Sequence, residues 1–136
     1  MAPFHLAFLV RDLASTRRFY RDLLGCAEGR STETWVDFDF FGNQISAHIG
    51  PMVETTDRGQ VDGIAVPMPH FGAILGWAEL EEVARTLEGS ECTVIVPYRV
   101  RYPGQVGEQA TVFVRDFSGN ALELKAFKNP DEIYAQ

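Results

Sequence analysis

His5, His70 and Glu123 form a metal-binding donor set when they are taken together, although each is ordinary alone. His5 sits in the apolar run FHLAFLV, on the strand face shared by Ala7 and Leu9. A lone strand histidine is more often a hydrogen-bonded surface or core residue than a ligand, and His70 in PMPHFGAIL is open to the same reading. Glu123 lies inside ALELKAF, where Leu122, Leu124 and Ala126 make one face and Ala121, Glu123, Lys125 and Phe127 the other. A carboxylate set among apolar strand residues faces solvent, a partner charge or a metal, because burying it unpaired is costly. Two imidazoles and one carboxylate, with open positions left over, match the facial arrangement of non-haem iron(II) sites. Ligand type alone does not select iron, and manganese, zinc or nickel suit the same donors.

Further polar residues compete for roles beside such a metal. His48 falls two residues beyond Ser46 on one strand, so it points to the same side and is placed to act as a general acid/base. The alternative is a polar residue at a strand end. Tyr98 and Tyr102, with Arg99 and Arg101, lie near or within the loop RYPGQVGEQ. There a tyrosine hydroxyl would orient a substrate oxygen and an arginine would attract an anion; a solvated basic loop is the plainer reading of either arginine. Asp116 and Asn120 read as structural residues of the Asp-Phe-Ser-Gly-Asn turn. Phe19 and Tyr20 read as helix-to-sheet packing.

The elements that must position these residues follow from periodicity. Residues 4–10 read as a buried strand, and Asp12 offers an N-cap to the helix LASTRRFYRDLLG, closed by Gly25. TWVDFDFFG alternates as a half-buried strand, and the turn Gly42-Asn43 leads into the return strand QISAHIG. A polar linker over 51–62 precedes a strand around residues 64–75, whose first half Pro67 and Pro69 demote to an edge or irregular segment. GWAELEEVARTLEGS is a helix, CTVIVPYRV and ATVFVRDF are strands, and Ser118-Gly119-Asn120 turns the chain into the last strand. Strand, helix and three further strands therefore occur twice, with FFGNQIS matching FSGNALE. The class expected is α+β: two βαβββ modules forming a cupped mixed sheet with helices on its outer face. Their bounds are about 1–50 and 63–128, with a tail at 129–136. The duplication puts both histidines at equivalent places, and Ser46 where the second half has Glu123. A fourth strong protein ligand is thus missing, leaving positions for water, a chelating substrate or dioxygen.

Over nearly its whole length the chain resembles the vicinal-oxygen-chelate superfamily, the group of glyoxalase I, fosfomycin and bleomycin resistance proteins and type I extradiol dioxygenases. The residues that carry the likeness are FHLAFLVRDLASTRRFYRDLLG, PHFGAIL and FVRDFSGNALELKAF. The element D-x-S-G-N-x-L-E-x-K-x-F is similar to those of predicted extradiol dioxygenases. The resemblance implies that the family's first-strand and fifth-strand histidines fall on His5 and His70, and the eighth-strand glutamate on Glu123. It implies an Fe(II)-dependent oxidoreductase cleaving a catechol-like vicinal diol, with His48, Tyr98 or Tyr102 handling protons. A glyoxalase-like lyase or isomerase, or a non-catalytic small-molecule binding protein, are the alternatives. Ser46 does not supply the fourth-strand ligand of glyoxalase I, which favours the three-ligand subgroup. A homodimer is implied as well.

Composition narrows the partners. With 12 Lys and Arg against 19 Asp and Glu, and a net charge of −7, the chain lacks the basic surface that nucleic-acid phosphates require. No apolar run approaches the roughly 20 residues needed to cross a bilayer. The two cysteines, Cys26 and Cys92, give no C-x-x-C spacing and read as free thiols in a reducing compartment. A small-molecule substrate and a cytoplasmic location are the expectations.

Overall fold

A computed structural model describes residues 2–52 and 55–136. Ten strands, two α-helices and two short helical turns make up the described chain. The first module runs β1 (His5–Val10), α1 (Leu13–Arg17), β2 (Ala27–Ser31), β3 (Trp35–Phe40) and β4 (Asn43–Ile49). The second runs β7 (Phe71–Leu75), α2 (Trp77–Glu88), β8 (Thr93–Arg101), β9 (Gln109–Arg115) and β10 (Ala121–Phe127). Each is a βαβββ unit with its own four-stranded mixed sheet, in the orders β1-β4-β3-β2 and β7-β10-β9-β8.

The register repeats along with the order. β1 runs parallel to β4 with Ala7 opposite Ser46, and β7 runs parallel to β10 with Gly72 opposite Glu123. Ser46 and Glu123 are therefore equivalent in the strand pairing as well as in the sequence pattern.

Local chemistry explains the helices. Asp12 caps α1, its carboxylate accepting from the Ser15 N–H at 2.7 Å. The single helix expected up to Gly25 instead widens after Arg17 into a π-helical turn, Arg18–Leu23. There the Leu24 N–H reaches the Phe19 carbonyl at 3.0 Å, and the adjacent rings of Phe19 and Tyr20 are both fully buried. Both rings face the core across this wider turn. In α2 the stripe Leu80, Ala84 and Leu87 is buried as its spacing predicts.

Two corrections apply between the modules. The polar stretch read as a linker carries β5 (Thr56–Val61), which pairs with β6 (Ile64–Met68) in a separate hairpin; residues 53 and 54 of that stretch lie outside the described residues. The strand expected over 64–75 is two strands, β6 and β7, because Pro69 has no N–H to continue a ladder.

One apolar core joins the modules, with Val10, Phe38 and Ile45 from the first and Leu80, Leu122 and Leu124 from the second. The Asp116–Asn120 turn fastens them further. Tyr20 donates its hydroxyl to Asp116 Oδ2 at 2.7 Å, the Asn120 amide donates to the Leu9 carbonyl at 2.9 Å, and the Arg11 N–H donates to Ser118 Oγ at 2.8 Å. Full burial holds the Tyr20 phenol well above its ordinary value, with the Asp116 carboxylate adding to that, so Tyr20 remains a donor.

Candidate metal and active site

His70 sits at the mouth of β7, and its ring is oriented from behind. Nδ1 lies 2.8 Å from the Pro67 carbonyl oxygen. A carbonyl only accepts, so Nδ1 carries a proton, and in the neutral ring Nε2 presents its lone pair. Nε2 faces Glu123 Oε1 at 3.4 Å. Phe113 packs edge-on to the imidazole with ring centroids 5.2 Å apart, which fixes its plane.

Glu123 is held from the other side. Its Oε2 accepts from the Thr111 hydroxyl at 2.6 Å, and Lys125 Nζ stands 3.6 Å from the same oxygen. Oε1 and the His70 Nε2 are thereby left converging on one point. Two ligands each about 2.1 Å from one ion can lie up to about 4.2 Å apart, so a 3.4 Å separation admits a shared cation. A ring N–H bonded to a backbone carbonyl and a carboxylate braced by a hydroxyl are the outer supports that metal ligands commonly have. The donor set therefore fits a divalent ion.

Gly72 makes that approach possible. It stands opposite Glu123 in the parallel ladder, and a Cβ built on it would overlap the backbone carbonyl of Glu123. Any side chain at position 72 would push β7 away from β10 at the level of the His70–Glu123 pair.

His5 does not join them. It lies on the exposed face of the first sheet, opposite the helix-packed one that carries Leu6, Phe8 and Val10, and its Nδ1 is bonded to Gln44 Oε1 at 2.8 Å. Among the described residues no three of the His, Cys, Asp and Glu side chains gather within the chain. His48 shares the His5 face. Its Nε2 is 3.0 Å from Ser46 Oγ, and its ring stacks on Trp35 at 6.1 Å and 29°. The chain thus carries two histidines on one sheet and a histidine–carboxylate pair on the other.

The two tyrosines separate. Tyr98 packs against α2, in a small groove with Glu81, Ala84, Arg85 and Glu88, on the helix side of the second sheet. Burial and the nearby Glu81 raise its phenol above the ordinary value. That places Tyr98 on the opposite face of the sheet from Glu123. Register shifts in β8 between Val94 and Arg99 break the strict alternation, so its outward residues are not those a regular strand would show. Tyr102 stays on the exposed rim. Its hydroxyl accepts from Arg101 at 2.8 Å, and the guanidinium lies 4.9 Å over its ring.

A cavity of about 380 Å³ touches His70 and runs between β1 and the start of β7, lined by Leu6, Phe8, Thr55, Phe71 and Asn120 among others. A larger one of about 510 Å³ lies between the end of the π turn and α2 and contains no histidine. Sequence reasoning missed Thr111, Pro67 and Gly72. Thr111 was accessible through alternation, since ATVFVRDF pairs with ALELKAF, but Pro67 acts through a backbone carbonyl that no residue type announces.

The family described as the glyoxalase/bleomycin resistance protein/dioxygenase superfamily matches residues 3–124. A glyoxalase/bleomycin resistance protein/dioxygenase from Alicyclobacillus acidocaldarius is 28% identical, with 98% of this chain and 96% of that one covered at a TM-score of 0.74. The fosfomycin resistance protein FosX from Listeria monocytogenes shares the fold at 21% identity and a TM-score of 0.72, with 97% of each chain covered. A lactoylglutathione lyase from Agrobacterium tumefaciens does so at 23% identity and 0.61, with 92% of each covered. No curated protein matches significantly. No helix among the described residues is long and apolar enough to cross a membrane.

Proposed function

This chain belongs to the glyoxalase/bleomycin resistance protein/dioxygenase superfamily, and we propose that within it the protein is a metal-dependent enzyme acting on a small molecule with two vicinal oxygens. The observation that carries this reading is the His70 Nε2–Glu123 Oε1 approach of 3.4 Å, with each group's other polar atom already satisfied. His70 and Glu123 would hold the ion, and a second copy of the chain would supply His5 as third ligand. The reason for the second copy is geometric, since His5 and His48 lie on the other sheet of their own chain, away from the pair. A homodimer that lays the first sheet of one copy over the second sheet of the other completes both sites.

A divalent ion there would act as a Lewis acid on the chelated oxygens, and iron(II) would also bring dioxygen within reach of a catechol-like ring. That ring-cleaving, extradiol-type oxidation is the finer reading we favour, because three protein ligands leave room for substrate and dioxygen together. The protein's own groups do the rest. His48, arriving with His5, would take a proton from a substrate hydroxyl, its Nε2 resting on Ser46 Oγ until then. Thr111 keeps the Glu123 carboxylate in one orientation, and Pro67 keeps the His70 ring in one tautomer. Both buried cysteines are free thiols, in keeping with a reducing cytoplasm.

Anaerobic purification with elemental analysis, followed by catechols under an oxygen electrode, tests the proposal. Iron near one per chain with oxygen uptake is the expected result. Zinc or nickel without uptake would move the reaction to a lyase or isomerase, and absence of any bound metal would refute the enzyme reading. Mixing His5→Ala with His70→Ala chains tests the shared site. Mixed dimers should regain metal at one of two sites, and no regain would refute the exchange.

A further inference from the structure

The strip of the second sheet beside Glu123 is cationic on a protein that is otherwise acidic. Glu123 pairs across to Phe113; one step along, Lys125 pairs to Thr111 and Thr111 to Arg99; the next step brings Gln109 opposite Arg101. Alternate residues of a strand share a face, so Lys125, Thr111, Arg99 and Arg101 extend the face that carries Glu123. Three cations meet two carboxylates there, Glu123 and Asp62 of the β5–β6 turn, in a chain whose acidic residues outnumber its basic ones by 19 to 12.

The three cations are not equally occupied. Arg101 is committed, with Nε and a terminal nitrogen on the two oxygens of Asp62 at 2.9 and 3.2 Å and a bond to Tyr102. Arg99 makes one contact, 3.1 Å to Asp62, and its side chain is 35% exposed. Lys125 stands 3.6 Å from Glu123, too far for a good hydrogen bond, and its side chain is 28% exposed. Lys125 and Arg99 therefore retain N–H donors beside the candidate metal point, and Asp62 demonstrates that a carboxylate is accepted by this arginine pair.

We propose that Lys125 and Arg99 form an anion subsite, so that the substrate carries a carboxylate beyond its two chelating oxygens. The inference rests on the metal reading of His70 and Glu123 and specifies the substrate class of that site. Residues two apart on a strand are about 6.7 Å apart and neighbouring strands about 4.8 Å. An acid group on the far side of a six-membered ring from the chelating oxygens spans that interval. The charge also has a kinetic use, since the local field draws anions toward a protein that elsewhere repels them.

Two titrations separate this inference from the reading beneath it. Cobalt(II) is first titrated into wild type and Lys125→Met; failure of wild type to bind it overturns the metal reading, and the subsite with it. The cobalt-loaded proteins are then titrated at constant ionic strength with 3,4-dihydroxybenzoate and with catechol, and the visible cobalt spectrum reports binding. Wild type should prefer the carboxylate by about tenfold. Arg99→Met should bring that preference close to unity while catechol binds as before, which also certifies that the variant is folded. Lys125→Met should lower the preference likewise, its cobalt uptake reporting the fold, and Lys125→Arg should restore it. A wild type without preference, or a preference that survives both substitutions, overturns the anion subsite and leaves the metal reading standing.

Discussion

Gly72→Ala should loosen the site without touching any proposed ligand. A Cβ at position 72 would overlap the Glu123 backbone carbonyl, and backbone cannot rotate aside as the end of a side chain can. Relief requires β7 to move from β10 by on the order of an ångström, against an inter-strand spacing of about 4.8 Å. A relaxed arrangement exists in the same molecule, since Ala7 occupies the equivalent place opposite Ser46 in the first sheet. The variant should therefore fold, at the cost typical of overpacking, about 1–3 kcal/mol. For a chain of this size that corresponds to a fall in Tm of roughly 4–12 °C in metal-free protein. His70 immediately precedes β7 and moves with it, so the 3.4 Å approach to Glu123 opens. Misplacement of a reacting group by about 1 Å costs on the order of a hundredfold in rate, and metal affinity should fall as well. Thermal denaturation and cobalt(II) titration read the two effects separately. Gly29→Ala is the control: its Cβ would meet Asp37 at an ordinary 3.5 Å, so Tm should be unchanged or slightly raised. A Gly72→Ala protein with wild-type Tm and wild-type cobalt affinity would refute the close-approach argument.

Two further outcomes concern the frame around the site. Asp12→Ala should cost about 1 kcal/mol by removing the cap of α1. Hydrogen bonding from Ser15, then attraction to Arg18 and Arg11, holds the Asp12 carboxyl below its ordinary value. A depressed folded value means that this stabilisation is present above the unfolded value near 3.9 and is lost as pH falls through the folded one. The stability gap between wild type and variant should therefore close in acid, and a gap of constant size down to pH 2 would contradict the capping account. Burial pushes the Cys26 thiol up to about 12, so it should resist iodoacetamide at pH 8 in folded protein and react after denaturation. Rapid labelling of Cys26 in the folded state would show that its surroundings open.

Much of this architecture was legible because the two halves say the same thing. Either strand–helix–meander pattern alone is commonplace, but its repetition aligned Ser46 with Glu123, and the pairing of Ala7 with Ser46 and Gly72 with Glu123 reproduces that alignment residue for residue. What escaped depended on contacts between distant segments. TDRGQV has little hydrophobic alternation, and β5 is a strand because β6 pairs with it, while Asp62 at the hairpin turn is tied to Arg99 and Arg101. Tyr98 was read for its nearness to a loop, whereas β8 extends from Thr93 to Arg101 and carries it on the helix side of the sheet. The widening of the first helix escaped as well, because the apolar spacing of Phe19 and Tyr20 suits a regular helix and announces no i→i+5 turn.

The duplication also bears on why the chain brings His70 and Glu123 together and leaves His5 apart. Equivalent modules put equivalent histidines at the starts of β1 and β7, yet only the second has a carboxylate at the matching point of its last strand. Glu123 faces His70 at 3.4 Å, whereas in the first module His5 is paired with Gln44 and its face carries Ser46, His48 and Trp35. The halves have thus diverged into a donor pair and a complementary face. The Asp116–Asn120 turn locks them to each other within the chain through Tyr20, Leu9 and Arg11. On the proposed reading the complementary face comes from another copy, so metal affinity should depend on protein concentration below the dimer dissociation constant.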